Sequence, residues 1–322
     1  MRRAGIALVL CAVALGCGGA VRAQGFPSKP VRIVVPFAPG GSPDVLARTV
    51  AQKTSENLAQ QVIVENRAGA TGIIGIEAVI NAPPDGYTLL MIDSSAYAIN
   101  PLVNRNVRYE VFRDLAPLTL AATSPIFLVV NSGLKVASVK EFLALARAKP
   151  GLPFGSSGNG TNHHLALELL KSLAGVDLVH VPYKGASLTV PAVVAGDVAA
   201  AFAGLNASLP HAKAGKLKML AVATAQRSAL APDIPTLAEA GVPGFDISIT
   251  LGFFAPSKTP GDVIDRLNAE FVKALKADDV RKRLLALGVE AVGSTPGEYA
   301  EVMRNEIRQY AKLVKAAGVR VD

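Results

Sequence analysis

Val31-Arg32-Ile33-Val34-Val35-Pro36-Phe37-Ala38-Pro39-Gly40-Gly41-Ser42-Pro43-Asp44 reads as a strand, a glycine turn and the start of a helix. Val31 to Val35 is almost wholly apolar and rich in valine, the composition of a strand covered on both faces. Pro39, Gly40 and Gly41 interrupt it. Ser42 suits an N-cap, and Pro43 suits the first helical position, where its missing N–H costs nothing. Such a joint aims backbone N–H groups and the positive end of a helix dipole at one spot, a place for a carboxylate or phosphate. A tight βα turn with no ligand accounts for the same residues equally well.

Strand and helix patterns alternate from there on. Val45 to Leu58 has a helical period, and Val62 to Asn66 is a second strand. It runs into Arg67-Ala68-Gly69-Ala70-Thr71-Gly72 and a helix from Ile73 to about Asn81. After the turn Pro83-Pro84-Asp85-Gly86, Tyr87 to Ile92 forms a third strand ending in Asp93-Ser94-Ser95-Ala96. Repeated β-loop-α units predict an α/β chain with a parallel, doubly wound sheet, whose ligands lie at the C-terminal strand ends. A second series follows. Pro117 to Val130 is extended, with a break expected near Ser124-Pro125, and Ser138-Val139-Lys140-Glu141 is a capping box. Pro153 to Gly155 is a short strand leading through Ser156-Ser157-Gly158-Asn159-Gly160-Thr161-Asn162 into a helix from His163 to Leu173. Val176–Val181, Val198–Phe202 and Leu217–Thr224 read as strands, and Thr236-Leu237-Ala238-Glu239 as a capping box opening a helix that Gly241 stops. Ile247 to Ala255 is extended and returns to the first unit. Thr259-Pro260-Gly261-Asp262 and Thr295-Pro296-Gly297-Glu298 each open one of two amphipathic tail helices.

Half of the 322 residues are hydrophobic, enough for two domains. Residues 1–23 stand apart. Arg2 and Arg3 are followed by an uncharged apolar run to Ala20, and Val21-Arg22-Ala23 is a small-x-small cleavage signal. This predicts a secretory signal peptide cut after Ala23. Cys17 is a poor lipoprotein site, since Ala14-Leu15-Gly16 precedes it. Both cysteines, Cys11 and Cys17, fall in the leader, so the mature chain would hold neither disulfide nor thiol chemistry. The formal charge of +8 falls to +5 without the three leader arginines. The basic residues are scattered and not interleaved with aromatics, which argues against nucleic acid as a partner.

No catalytic constellation emerges from the spacing. The G-x-S-x-G elbow is absent around Ser42, Ser156 and Ser157. His163 and His164 would point about 100° apart on a helix and cannot easily share one metal. A helix-terminal packing role is the simpler reading for them, and a ligand-facing ring the alternative. His180 and His211 have no partner at ligand spacing. Gly69 to Gly75 and Gly158 to His163 miss the G-x-G-x-x-G spacing, and no Gly-Lys-Ser/Thr occurs. No metal or cofactor is therefore expected. What recurs is a set of short polar loops at strand ends: Gly40-Gly41-Ser42, Gly69 to Gly72, Ser94-Ser95 and Ser156 to Thr161. A carboxylate held between such loops of two lobes would favour a closed state.

Six motifs stand in order along the chain: Pro36 to Asp44, Val64 to Gly69, Ala82 to Leu90, Val181 to Gly185, Leu220 to Thr224 and Ile234 to Gly241. In these the chain resembles the Bug-type periplasmic solute receptors of tripartite tricarboxylate transporters. The resemblance implies a two-lobed periplasmic-binding-protein fold of the Venus-flytrap kind. Residues 24–123 and 249–322 would form one lobe and 124–248 the other. It implies a non-enzymatic receptor for a small carboxylate, monomeric, which delivers its ligand to a two-component membrane permease. The ligand would lie between Phe37 with Gly40, Gly41 and Ser42, the loop Gly69, Ala70, Thr71 and Gly72, and the loop Ser156, Ser157, Gly158, Gly160 and Thr161, with Ser94 close by. Where relatives carry Thr or Ser, a later Asp and a Trp, this chain has Pro43, Ala192 and the segment Thr250 to Phe253. Two alternatives stay open at this stage: a receptor that reports to a sensor kinase, and a periplasmic enzyme on the same fold.

Overall fold

The computed structural model describes residues 25–37, 39–69 and 72–318. The leader 1–23 and its cut after Ala23 lie outside the described residues, as do Ala70 and Thr71 of the second glycine loop. The first half of the chain folds as β1 (Val31–Val35), α1 (Ser42–Leu58), β2 (Val62–Asn66), α2 (Ile73–Ile80), β3 (Thr88–Asp93), a π-helical turn (Ser95–Ile99), α3 (Asn100–Val103), α4 (Val111–Asp114) and β4 (Leu115–Asn131). It continues with α5 (Val139–Ala148), β5 (Leu152–Ser156), α6 (Asn162–Ala174), β6 (Leu178–Pro182), α7 (Ala186–Ala195), β7 (Ala200–Gly204), α8 (Leu205–Lys213) and β8 (Leu217–Val222). The tail is β9 (Ser248–Pro256), α9 (Gly261–Lys276), α10 (Asp278–Ala286), β10 (Glu290–Ala291) and α11 (Pro296–Ala317).

The strands follow the order β2-β1-β3-β9-β4-β7-β5-β6, with β8 and β10 also paired to β4. β1 runs parallel to β2 and β3, as two β-loop-α units require. Its valine run is sealed on both faces. Val31, Ile33 and Val35 pack with Leu46 and Val50 of α1 and Phe271 of α9, while Val34 packs with Ile76 and Val79 of α2. That alternation is the period of two in a strand, with a helix layer on either side. β9 lies antiparallel between β3 and β4. In the second lobe β5 runs parallel to β6 and β7.

One strand belongs to both lobes. β4 pairs with β9 from Leu115 to Pro125, then with β7 and β8 from Ile126 onward. The break expected at Ser124-Pro125 does not occur. Pro125 sits where the strand exchanges partners, so its missing N–H interrupts little of either ladder. Three further expectations are corrected. Gly41, not Ser42, is the N-cap of α1. Thr236 and Glu239 do exchange capping hydrogen bonds, yet they close a single turn. The N–H of Val242 bonds back to Leu237 and ends it. The tail holds α10 between the two expected helices, because Ala277 is extended and restarts the helix with Asp278 and Asp279 at its positive end.

Candidate functional site

The loops at the ends of β1 and β2 are pinned together by Asp44. Its carboxylate, buried in the first turn of α1, accepts from the Gly40 N–H at 2.9 Å, the Asn66 amide at 2.9 Å and Arg48 Nε at 3.0 Å. Arg48 Nη2 donates to Asn66 Oδ1, and the Asn66 amide also reaches the Phe37 carbonyl. Burial alone would raise the Asp44 pKa, but Gly40, Asn66 and Arg48 outweigh it and hold it below the usual carboxylate range. The Gly40 N–H is thus spent within the loop. Neither Gly41 at the start of α1 nor Gly72 at the start of α2 brings a side-chain cap to the helix. Among the described residues no N-cap side chain therefore accepts from the first-turn N–H groups of either helix, which in α1 exclude Pro43. Gly72 has φ +95, a conformation that L side chains rarely adopt. A Cβ on Gly75 would lie 2.7 Å from Pro36, so α2 approaches the β1 loop as closely as a glycine allows.

The loop after β5 is built differently, because its donors satisfy one another. Ser156 is fully buried, and its hydroxyl meets His180 Nε2 at 2.6 Å and the Gly158 N–H at 3.1 Å. Ser157 Oγ pairs with His163 Nδ1 at 2.7 Å. The Gly160 N–H donates to His164 Nδ1, and Thr161 caps α6 through the His164 N–H. The His164 and His180 rings stack at 3.8 Å. Burial lowers the pKa of His163, His164 and His180 to about 4 each, and Lys171 adds to the effect at His164. At neutral pH all three rings are uncharged.

Asn162 joins the two lobes. Its Oδ1 accepts from Ser94 Oγ at 3.2 Å and from Tyr310 OH at 2.9 Å. Ser94 is fully buried, and its Oγ also accepts from the Thr250 N–H at 3.4 Å. The end of β3, the start of α6, β9 and α11 thus meet at one point. β1 runs parallel to both β2 and β3, so Phe37, Gly40 to Ser42, Gly69 and Gly72 lie at the same end of the sheet as this junction. Behind it Glu306 of α11 accepts from Thr250 Oγ1 and from the Tyr97 hydroxyl, both buried.

The structure therefore brings the loops at the ends of β1 and β2 together, and it sets the Ser156–Thr161 loop against the end of β3. Sequence spacing missed Asp44 as the clamp, His180 as the partner of Ser156, and Asn162, Thr250 and Glu306 at the junction. Only Asp44 left a local signal, four residues from both Gly40 and Arg48. Among the described residues no group of three or more His, Cys, Asp or Glu is placed to hold a metal ion. Among the same residues no helix is long and apolar enough to cross a membrane. Two Ser–His pairs are present, but a histidine whose pKa is about 4 is a weak general base at neutral pH.

The sequence pattern described as tripartite tricarboxylate transporter family receptor matches residues 46–319. A UPF0065 protein from the tcbD-tcbE intergenic region of Pseudomonas sp. strain P51 is 40% identical over 315 residues, covering 97% of this chain and 94% of the relative. BugT of Bordetella pertussis is 35% identical over 308 residues, covering 95% and 94%. A solved R. palustris protein with adipate superposes with a TM-score of 0.83 at 35% identity, covering 92% of this chain and 99% of that one. MatC from Rhodopseudomonas palustris with bound malate gives a TM-score of 0.78 at 30% identity, covering 90% and 100%.

Proposed function

Because the chain belongs to the tripartite tricarboxylate transporter receptor family, we propose how its two lobes share the work of holding a small carboxylate. It is a periplasmic solute receptor, and relatives of the same fold have been solved with adipate and malate. Lobe 1 takes the charge. The ligand carboxylate sits against Phe37, Gly41 and Ser42 on one side and Gly69, Ala70, Thr71 and Gly72 on the other. Gly40 holds the loop in shape through Asp44. Lobe 2 closes over it with Ser156, Ser157, Gly158, Gly160 and Thr161 as a preformed wall. Ser94 lies beside this set at the contact between the lobes, where its hydroxyl bonds to Asn162 and the Thr250 N–H. The observation that carries this reading is the pair of adjacent helix starts in lobe 1 without side-chain caps, α1 and α2. Aligned N–H groups with no capping side chain can bind an anion by charge-assisted hydrogen bonds, with no arginine needed.

The finer points follow the same reading. The lobes divide at residues 123/124 and 248/249, and the exchange of partners in β4 at Pro125 favours a hinge there. The leader is removed after Ala23, the mature protein is monomeric, and it hands its ligand to a two-component permease without chemical turnover. The weak basicity of His163 and His180 supports the last point.

Ser42→Pro tests the carboxylate site. Gly41 is already extended, at φ −75° and ψ 165°, and proline is well tolerated at the first helical position. The substitution therefore removes one N–H and the Ser42 hydroxyl while preserving α1. Adipate, malate and tricarboxylates are titrated against ligand-stripped protein by thermal shift. Ligand at 100 times its Kd stabilises the wild type by about 2.7 kcal/mol. Ser42→Pro weakens the bound acid roughly tenfold or more, the worth of a hydrogen bond to a charged group. Unchanged affinity, or binding confined to neutral or cationic solutes, would overturn the assignment.

A further inference from the structure

Lobe 1 carries a concavity, about 330 Å³ in volume, between the π-helical turn, α3, α4 and α11. Leu102, Tyr109, Phe112 and Ile307 line it, and Arg304 and Arg308 stand at its rim. Leu102 and Phe112 remain 39% and 38% exposed, although both are large and apolar. An exposed apolar patch with a polar rim marks an interaction site on a soluble protein. Its tyrosine, phenylalanine and arginine content is that of interface anchors. The Arg304 guanidinium lies 5.1 Å over the Phe112 ring and is thereby oriented before any partner arrives.

We infer that this groove is the docking face for the membrane permease, and that the permease presents to it a periplasmic loop with an apolar side chain flanked by carboxylates. The inference rests on the transporter-receptor reading above. Charge complementarity selects the occupant. Among the charged residues that line the groove, Arg304 and Arg308 stand against Glu110, and the exposed Arg105 and Arg108 lie near its lining residues in sequence. The surplus is positive, so an acidic partner gains on approach and a basic one is repelled. The back wall gives the groove a second property. Tyr97 lines it, and the Tyr97 hydroxyl reaches Thr250 and Glu306 where β4 passes between lobes. On α11, Tyr310 lies near the groove residues Ile307 and Arg308 and bonds to Asn162 of the second lobe. A partner seated here touches the elements that tie the lobes together, and so distinguishes the closed from the open receptor.

The test uses the full receptor, the cognate permease in nanodiscs of zwitterionic lipid, and binding measured with and without adipate or malate. Arg308→Glu and Leu102→Glu are compared with the wild type, after confirming that thermal midpoint and carboxylate affinity are unchanged. Both variants are expected to bind the permease at least tenfold more weakly. Equal binding by variants and wild type overturns the inference. So does wild-type binding to empty anionic nanodiscs as tight as to the permease, which would make the groove a lipid site. A receptor dimer abolished by either variant would assign it to a second copy. Loss of a second equivalent of bound acid would assign it to a small amphipathic anion. Failure of the wild type to bind the permease at all also overturns it. Carboxylate titration of the same sample then reports separately on whether the protein is a solute receptor.

Discussion

Glu306→Gln should make the protein more stable at alkaline pH and leave it unchanged in acid. Glu306 on α11 is half-buried, it forms no ion pair among the described residues, and the hydroxyls of Tyr97 and Thr250 are its donors. Burial pushes its pKa from 4.5 up to about 7, Asp246 and Asp93 add to the rise, and the two hydroxyls oppose it. The folded state therefore keeps this proton after the unfolded chain has released it. Below pH 4.5 both states are protonated and nothing is lost. Between 4.5 and 7 stability falls as pH rises, and above 7 the whole deficit persists. At about 1.4 kcal/mol for each pKa unit, the deficit is on the order of 3 kcal/mol. Glutamine preserves shape and can pair with both hydroxyls, which reorient freely, but it does not ionise. The variant should match the wild type at pH 4 and exceed it at pH 8 by roughly 3 kcal/mol. In a chain of this size that corresponds to a thermal midpoint higher by roughly 6–10 °C. Urea or thermal unfolding of both proteins across this range decides the matter. The histidines behind the Ser156–Thr161 loop contribute equally to both proteins and cancel in the difference, whereas Asp93, which is coupled to Glu306, is relieved by the substitution and adds to the gain. A difference independent of pH would refute the reasoning, because it would mean that the carboxylate is ionised at little cost.

Asp44→Ala removes the acceptor that Gly40, Asn66 and Arg48 share, and should cost about 1–3 kcal/mol while weakening carboxylate binding; urea unfolding and ligand titration check both, and unchanged values would deny the clamp. The histidines behind the Ser156–Thr161 loop have pKa values lowered from 6.5 to about 4, so their stabilisation is complete above pH 6.5 and is lost as pH falls towards 4. His164→Asn retains an acceptor for the Gly160 N–H without titrating there, and should blunt the acid loss seen by unfolding at pH 7 and pH 5; identical losses would count against it. Gly252→Ala places a Cβ 2.1 Å from Tyr299 Oη and 2.2 Å from Cζ, so a loss of at least 2–3 kcal/mol is expected by denaturant titration. Tyr299→Phe should not rescue it, since the ring carbons clash as well; full rescue would show that only the hydroxyl obstructs.

The residues of this chain determine by themselves whatever depends on near neighbours. The valine run of β1, the β-loop-α alternation and the caps at Ser138 and Thr295 all appear in the structure where short-range pattern puts them. The motifs from Pro36 to Gly241 identify the family for the same reason, since each is a contiguous stretch. Tertiary structure decides which donors remain for a ligand. Gly40 and Ser156 look alike in sequence as polar-loop donors, yet one is spent on Asp44 four residues away and the other on His180 twenty-four residues away. Ser94 meets Asn162 across 68 residues, and Tyr97 meets Glu306 across 209. Those encounters follow from the insertion of β9 between β3 and β4 and from the passage of β4 between lobes, which no local period encodes. A buried polar group must find a partner wherever the packed sheet brings one, so its partner is settled by strand order and register and not by spacing along the chain.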